Sequence, residues 1–175
     1  MDALALFERS LSAPLDELVV SDVQVRPEPG QTDGWRLPEA DLTALNTFGL
    51  PVVTPSGFTP AIQPEPEPRI VDEGRSLYEL VTMAQENLAA VEGEGTVLGI
   101  PGQLELGTGY VNASVALFVD TAWRWYGVNT ALRALPLDEV TFQRLGQFWT
   151  RVREADPTVD LDPSISLWHG LVEGW

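Results

Sequence analysis

Ser76-Leu77-Tyr78-Glu79-Leu80-Val81-Thr82-Met83-Ala84-Gln85-Glu86-Asn87-Leu88-Ala89-Ala90-Val91-Glu92 is the stretch on which the fold turns. Two periods compete in it. Leu77, Leu80, Val81, Ala84, Leu88 and Val91 recur at helical spacing, and Ser76-x-x-Glu79 has the form of a capping box. Against a helix, Leu80-Val81-Thr82-Met83 is β-favourable and Gln85-Glu86-Asn87 has turn composition. Glu92-Gly93-Glu94-Gly95 then makes a hairpin-like tetrad before Thr96-Val97-Leu98. Local pattern alone favours the helix; a sheet needs support from the rest of the chain.

Downstream, Thr108–Val111 reads as a short strand running into a helix with Val115, Phe118, Val119, Ala122 and Tyr126 on one face, Asn112 as its N-cap and Gly127 as its stop. Trp123 and Trp125 lie roughly 200° apart on that helix and cannot both face one core, so one belongs to a second contact layer. Asp138 caps a further helix with a Phe142, Leu145, Trp149, Val152 stripe, and Arg151 and Arg153 sit near its negative end. Asp162-Pro163 opens a last helix in which Ile165, Trp168, Leu171 and Val172 face inward and Gly174 ends it.

Upstream, Asp2 caps a helix through about Leu11, and Leu18–Val25 reads as one extended, half-buried segment. Pro38 starts a helix that Gly49 ends. Residues 51–68 hold six prolines, which leaves no helix and denies a central strand its ladder donors. Pro64-Glu65-Pro66-Glu67-Pro68 is expected as a polyproline-like surface arm.

The chain has 175 residues, no Cys, one His, 26 Asp+Glu and ten basic residues, all Arg, for a net charge of −16. The length suits one domain, 1–175, with residues 1–36 as an N-terminal extension. Residues 1–75 and 76–175 each carry 13 acids and five Arg, so the acidity belongs to the folded body and not to a tail. Such a charge disfavours nucleic acid and anionic membranes as partners and favours a basic protein. No apolar run reaches a membrane span, and Met1-Asp2 lacks a basic leader, so a cytoplasmic protein is expected.

Constellations for chemistry do not converge. Absence of Cys excludes disulfides and thiolate chemistry, and no G-x-S-x-G, P-loop or H-E-x-x-H occurs. Gly93-x-Gly95 and Gly107-Thr108-Gly109 lack the helix that would complete a phosphate site and read as turns. His169 has no nucleophile partner, Asp160-x-Asp162 reads as turn and cap, and Asn112-Ala113-Ser114 reads as a capping sequence, not a glycosylation site. The expectation is a non-enzyme without catalytic residues, metal or cofactor. Glu65, Glu67, Asp72, Glu73, Glu92 and Glu94 are the expected partner-contacting residues, because they cluster in exposed segments.

Taken in order, Phe48-Gly49-Leu50-Pro51, Glu92-Gly93-Glu94-Gly95, Val111-Asn112-Ala113-Ser114 leading into Val115-Ala116-Leu117-Phe118-Val119, and Asp156-Pro157 before Ser166-Leu167-Trp168 and Glu173-Gly174 resemble the SUKH superfamily of bacterial immunity proteins. The chain is most similar to the fourth subgroup, over about residues 37–175. It departs from the family pattern at Gln85-Glu86-Asn87, where a Gly-rich turn is usual. The resemblance implies an α+β fold, an antiparallel twisted sheet flanked by N-terminal and C-terminal helices. It therefore assigns Leu77–Ala84, Leu88–Val91 and Thr96–Ile100 to strands, against the local pattern. It also implies a protein that binds and neutralises a polymorphic toxin, often a nuclease or nucleic-acid deaminase. An acidic domain can occlude the basic cleft of such a toxin as a phosphate-backbone mimic. A scaffold or regulatory module of the same fold and a two-carboxylate hydrolase are the other classes open at this point.

Overall fold

Within the 76–92 stretch the chain forms strands, Arg75–Thr82 and Glu86–Val91, and not a helix. In the computed structural model, which describes residues 2–53, 58–71, 74–83, 86–101, 108–136, 138–160 and 166–173, the elements run in the following order. First come α1 (Ala3–Ser12), α2 (Leu15–Leu18), β1 (Gln24–Val25), α3 (Glu39–Phe48) and β2 (Leu50–Pro51). Then come β3 (Thr59–Pro60), β4 (Arg69–Val71), β5 (Arg75–Thr82), β6 (Glu86–Val91), β7 (Val97–Pro101) and β8 (Gly109–Asn112). Three helices follow, α4 (Val115–Arg133), α5 (Glu139–Ala155) and α6 (Leu167–Glu173). The main sheet is antiparallel in the order β3-β5-β6-β7-β8, with β4 on the same edge of β5 as β3, and β1 and β2 form a separate pair. This is the α+β arrangement the resemblance implies.

The helical spacing in 76–92 has a sheet explanation. Tyr78, Leu80, Leu88 and Ala90 join the main core, while Leu77, Ala89 and Val91 join a second apolar cluster with Leu98 on the opposite face. Burial on both faces turns an alternating strand into a nearly continuous apolar run. The β5–β6 register shifts between Glu79 and Val81, so Leu80 and Val81 both enter the main core. One bulge on a period of two therefore produces the three-and-four spacing of Leu77, Leu80 and Val81.

The helix α4 crosses the main core with Phe118, Val119 and Val128 fully buried. Trp123 and Trp125 are both buried, on opposite sides. Trp123 Nε1 donates to the Phe48 and Gly49 carbonyls (3.2 and 3.1 Å), whereas the Trp125 ring lies 5.3 Å from Phe148 of α5. Gly127 does not stop the helix. A Cβ there would come within 2.2 Å of Ser10 Oγ, so the glycine is the point at which α1 lies against α4. Nor does Asn112 cap it: Ser114 Oγ accepts the Leu117 N–H at 3.1 Å, and Asn112 is a strand residue.

Asp138 caps α5 as expected, accepting from the Thr141 N–H at 3.0 Å. Phe142 leaves the expected stripe. The buried row is Thr141, Leu145, Phe148 and Val152, and Phe142, one residue on from Thr141 and about 100° around, is 58% exposed. Leu18–Val25 is not one extended segment. Leu18 ends α2, Ser21–Val23 is a 3₁₀ turn closed by the Val23 N–H on the Val20 carbonyl, and only Gln24–Val25 pairs with Leu50–Pro51. Asp2 holds the N-cap position of α1 without a side-chain bond. Trp168 of α6 is fully buried; Asp162-Pro163, Ile165 and Gly174 lie outside the described residues.

Candidate partner-binding surface

The prolines of 60–68 build a bulged edge. From Pro60 to Arg69 the chain spends nine residues against the four that separate Val81 from Leu77 on β5. Ala61 and Gln63 N–H groups stay on the Leu80 and Glu79 carbonyls, and the surplus curls outward. Prolines strip this curl of donors, so its carbonyls need donors from elsewhere. Gln63, only 1% exposed, supplies them: Nε2 donates to the Glu65 and Glu67 carbonyls (3.1 and 2.6 Å), and Oε1 accepts the Glu79 N–H at 3.4 Å. The segment is exposed, as expected of an arm. It is wound about one buried amide, however, and is not an extended polyproline rod.

The second acidic segment is the β6–β7 turn. Gly93 and Gly95 adopt φ of +80° and +78°, and a Cβ on Gly95 would fall 1.9 Å from Asp41 Oδ2. Asp41, on the first turn of α3, accepts the Ala116 N–H at 2.8 Å where α4 begins. Burial raises the Asp41 carboxyl, and the N–H groups of Ala116 and Val115 with the Ser114 hydroxyl hold it down part of the way. Asp41 thereby ties α3 to α4, and the turn packs its Gly95 backbone against the same carboxyl.

Gly34-Trp35-Arg36 brings the two acidic segments together. A Cβ on Gly34 would meet Pro66 of the curl at 2.8 Å. Trp35 is 4% exposed and stacks on Tyr78 with ring centres 4.5 Å apart and planes 14° apart. The Arg36 N–H donates to Tyr78 Oη at 3.1 Å, its carbonyl accepts the Gly93 N–H at 2.6 Å, and its guanidinium pairs with Glu92. The hydrogen bond and charge of Glu92 raise the Arg36 guanidinium further, and Glu67 adds to this from the curl.

Four of the six expected residues, Glu65, Glu67, Glu92 and Glu94, thus share one surface. Asp72 and Glu73 lie outside the described residues. Arg69 spans Glu65 (3.7 Å) and Glu79 (3.1 Å), so the half-buried Glu79 and Glu92 each have an arginine, whereas the exposed Glu67 and Glu94 form no ion pair among the described residues. Five carboxylates against two guanidinium groups leave the patch acidic. Gln63, Trp35 and Arg36 were missed from the sequence. The one available signal was the proline run, whose carbonyls need an outside donor.

Asn112, Asp156 and Trp168, from three of the motifs that carried the resemblance, meet elsewhere, in the interior. Asn112 Nδ2 and the Ala113 N–H donate to Asp156 Oδ2 (3.0 and 2.8 Å), and Trp168 Nε1 donates to Asn112 Oδ1 at 2.9 Å. Thr158 donates to Asp156 through its N–H (3.2 Å) and hydroxyl. Asn112 is 0% and Asp156 2% exposed, so these groups hold elements together and are closed to a partner. His169 packs on Trp149 with ring centres 5.3 Å apart and lies 3.6 Å from Glu173. Among the described residues no three His, Cys, Asp or Glu side chains gather into a metal-binding group, and no helix is long and apolar enough to cross a membrane.

Comparison with protein families matches residues 11–173 to the model described as SUKH-4 immunity protein, which begins well before residue 37, where the motif resemblance starts. Comparisons with curated proteins and with solved structures return no match.

Proposed function

Because the chain belongs to the SUKH-4 immunity protein family, we propose that it acts in the cytoplasm by binding a cognate toxin with a basic surface and occluding its active-site cleft. A nuclease or nucleic-acid deaminase fits best. Such a toxin must present cations to phosphates, and a rigid acidic surface competes for the same cations. The observation that carries this reading is the convergence of Glu65 and Glu67 with Glu92 and Glu94 around Gly34-Trp35-Arg36. Buried Gln63 and stacked Trp35 hold that surface in shape before any partner arrives, which lowers the ordering cost of association. A net charge of −16 steers the encounter from a distance.

The test is co-expression with the toxin encoded beside this chain, followed by purification at low and high salt. Protection of the host and a salt-sensitive one-to-one complex are expected. Unimpeded killing with no complex at low salt would refute the reading.

A further inference from the structure

Beside the acidic patch runs a groove of about 590 Å³ between the 25–31 loop and residues 60–66, and Pro66, the residue between Glu65 and Glu67, forms part of its wall. A second hollow of about 370 Å³ adjoins it and shares Arg26, Glu28, Pro29 and Gly30. The loop is held in place by Gln31, which donates through Nε2 to the Ile62 and Gln63 carbonyls (3.0 and 2.9 Å) and accepts the Glu28 N–H at 2.7 Å. Thr32, 5% exposed, bonds Asn46 of α3 at 3.1 Å. The groove is therefore preformed.

Arg26 stands where the two hollows meet, and it is exposed. Among the described residues it is the one arginine with no hydrogen bond or ion pair; the other nine are all engaged. Its stem passes close to Gly49, where an added Cβ would come within 2.7 Å of Arg26 Cγ. Neither Glu28 in the same wall nor Asp33 in the adjoining hollow forms an ion pair with it. An unpaired guanidinium at the junction of two grooves, in a chain otherwise so acidic, is an anion or carbonyl receptor set inside a negative field.

Resting on the toxin reading above, we infer that this groove receives a loop of the same toxin, and that Arg26 binds a carboxylate on that loop flanked by basic residues. Charge complementarity selects this occupant. Glu28 in the groove wall, Asp33 in the adjoining hollow, and Glu65 and Glu67 on either side of the wall residue Pro66 take the flanking cations, whereas Arg26 accepts only a partner that places an acid between them. The patch supplies attraction to any basic protein. Arg26 supplies discrimination, since a partner with a cation at that position meets like charge.

The sign of one measurement decides. The probe is the toxin domain encoded beside this chain, with binding followed by surface plasmon resonance against wild type, Arg26→Ala, Arg26→Glu and Arg26→Lys. If Arg26 only dilutes the acidic field, Ala and Glu make the protein more negative and bind a basic toxin as well or better, and the inference is overturned while the toxin reading stands. The inference expects the reverse, a loss of about 30-fold or more for Ala and more for Glu, in the dissociation rate, with Lys retaining part of the affinity. Thermal unfolding of the free variants stays at the wild-type midpoint, since the side chain is exposed. Failure of the wild type itself to form a complex overturns both readings together.

Discussion

Asn112 and Asp156 meet inside the protein, the Asn112 amide donating to the Asp156 carboxylate over 3.0 Å, and this contact ties the end of β8 to the end of α5. Trp168 completes it from α6. The pair explains why Val111-Asn112-Ala113-Ser114 and Asp156-Pro157 are distinctive together: they are two sides of one buried network.

Replacing Asp156 by Ala leaves the Asn112 amide and the Ala113 N–H buried without an acceptor. Unfolding in urea should show a loss of about 3 kcal/mol, against about 1 kcal/mol for Thr158→Val, which removes one hydroxyl donor to the same carboxylate at nearly constant volume. Equal, small losses for the two would show that the network is not what holds these elements.

Arg124 is 6% exposed and grips Asp120 through two bonds (2.7 and 2.9 Å) while donating to the Ser10, Leu11 and Ala13 carbonyls at the end of α1. Arg124→Ala should cost about 3 kcal/mol or more, because it leaves the Ser10 and Ala13 carbonyls and Asp120 without this donor, and the Leu11 carbonyl with Arg151 alone. Arg124→Lys cannot reproduce the fork and recovers only part of this. Denaturant midpoints of the two variants measure the difference.

Burial raises the Glu86 carboxyl, which lies over Gly99. A raised native pKa means that the native state holds the proton more tightly than the unfolded chain does. Its stabilising contribution is complete below the ordinary carboxylate value of about 4 and is lost as pH climbs from there through the raised native value. Glu86→Gln, a mimic of the protonated form, should therefore raise stability at pH 7, leave it nearly unchanged at pH 4 and flatten the slope between. Urea midpoints across that range test it; a variant less stable at pH 7 contradicts the assignment.

Gly93 and Gly95 separate two effects within one turn. Both have positive φ, but a Cβ on Gly93 meets nothing within 4 Å, whereas one on Gly95 meets Asp41. Gly93→Ala should cost about 1 kcal/mol, from backbone conformation alone. Gly95→Ala should cost about 3 kcal/mol, since it also displaces a buried carboxylate tied to α4. Differential scanning calorimetry on the pair reads this directly.

For the acidic patch, the triple variant Glu65→Gln, Glu67→Gln, Glu94→Gln should slow association with the toxin by about tenfold at low salt and leave dissociation much less affected. At 1 M salt, where screening acts over about 3 Å, the difference should vanish. A salt-independent loss would point to contact and not to steering.

Legibility followed range. Asp138 as a cap and Gly49 as a stop follow from residues near one another in the chain, whereas the cap before α4 falls on Ser114 where Asn112 was expected, and the strands after Arg75 were legible only through the resemblance. The 76–92 stretch misled because a bulge between Glu79 and Val81 and burial on both faces imitate helical spacing. Gly127 and Phe142 misled for a related reason. What permits a glycine inside a helix is Ser10, far away in the chain, and what leaves Phe142 exposed is where α5 meets the core.

From its sequence alone the chain is acidic throughout its body, has one His and no Cys, and carries the motif order that marks its family. Those properties reside in composition and in short-range pattern, which survive without any knowledge of packing. Which carboxylates act together is a property of the fold. Glu65 and Glu67 reach Glu92 and Glu94 only because Gln63 winds the proline curl, Trp35 stacks on Tyr78, and Arg36 binds the turn. Each of the latter two contacts joins residues distant in sequence, formed when burial of apolar surface and satisfaction of backbone groups bring Gly34-Trp35-Arg36 onto the sheet.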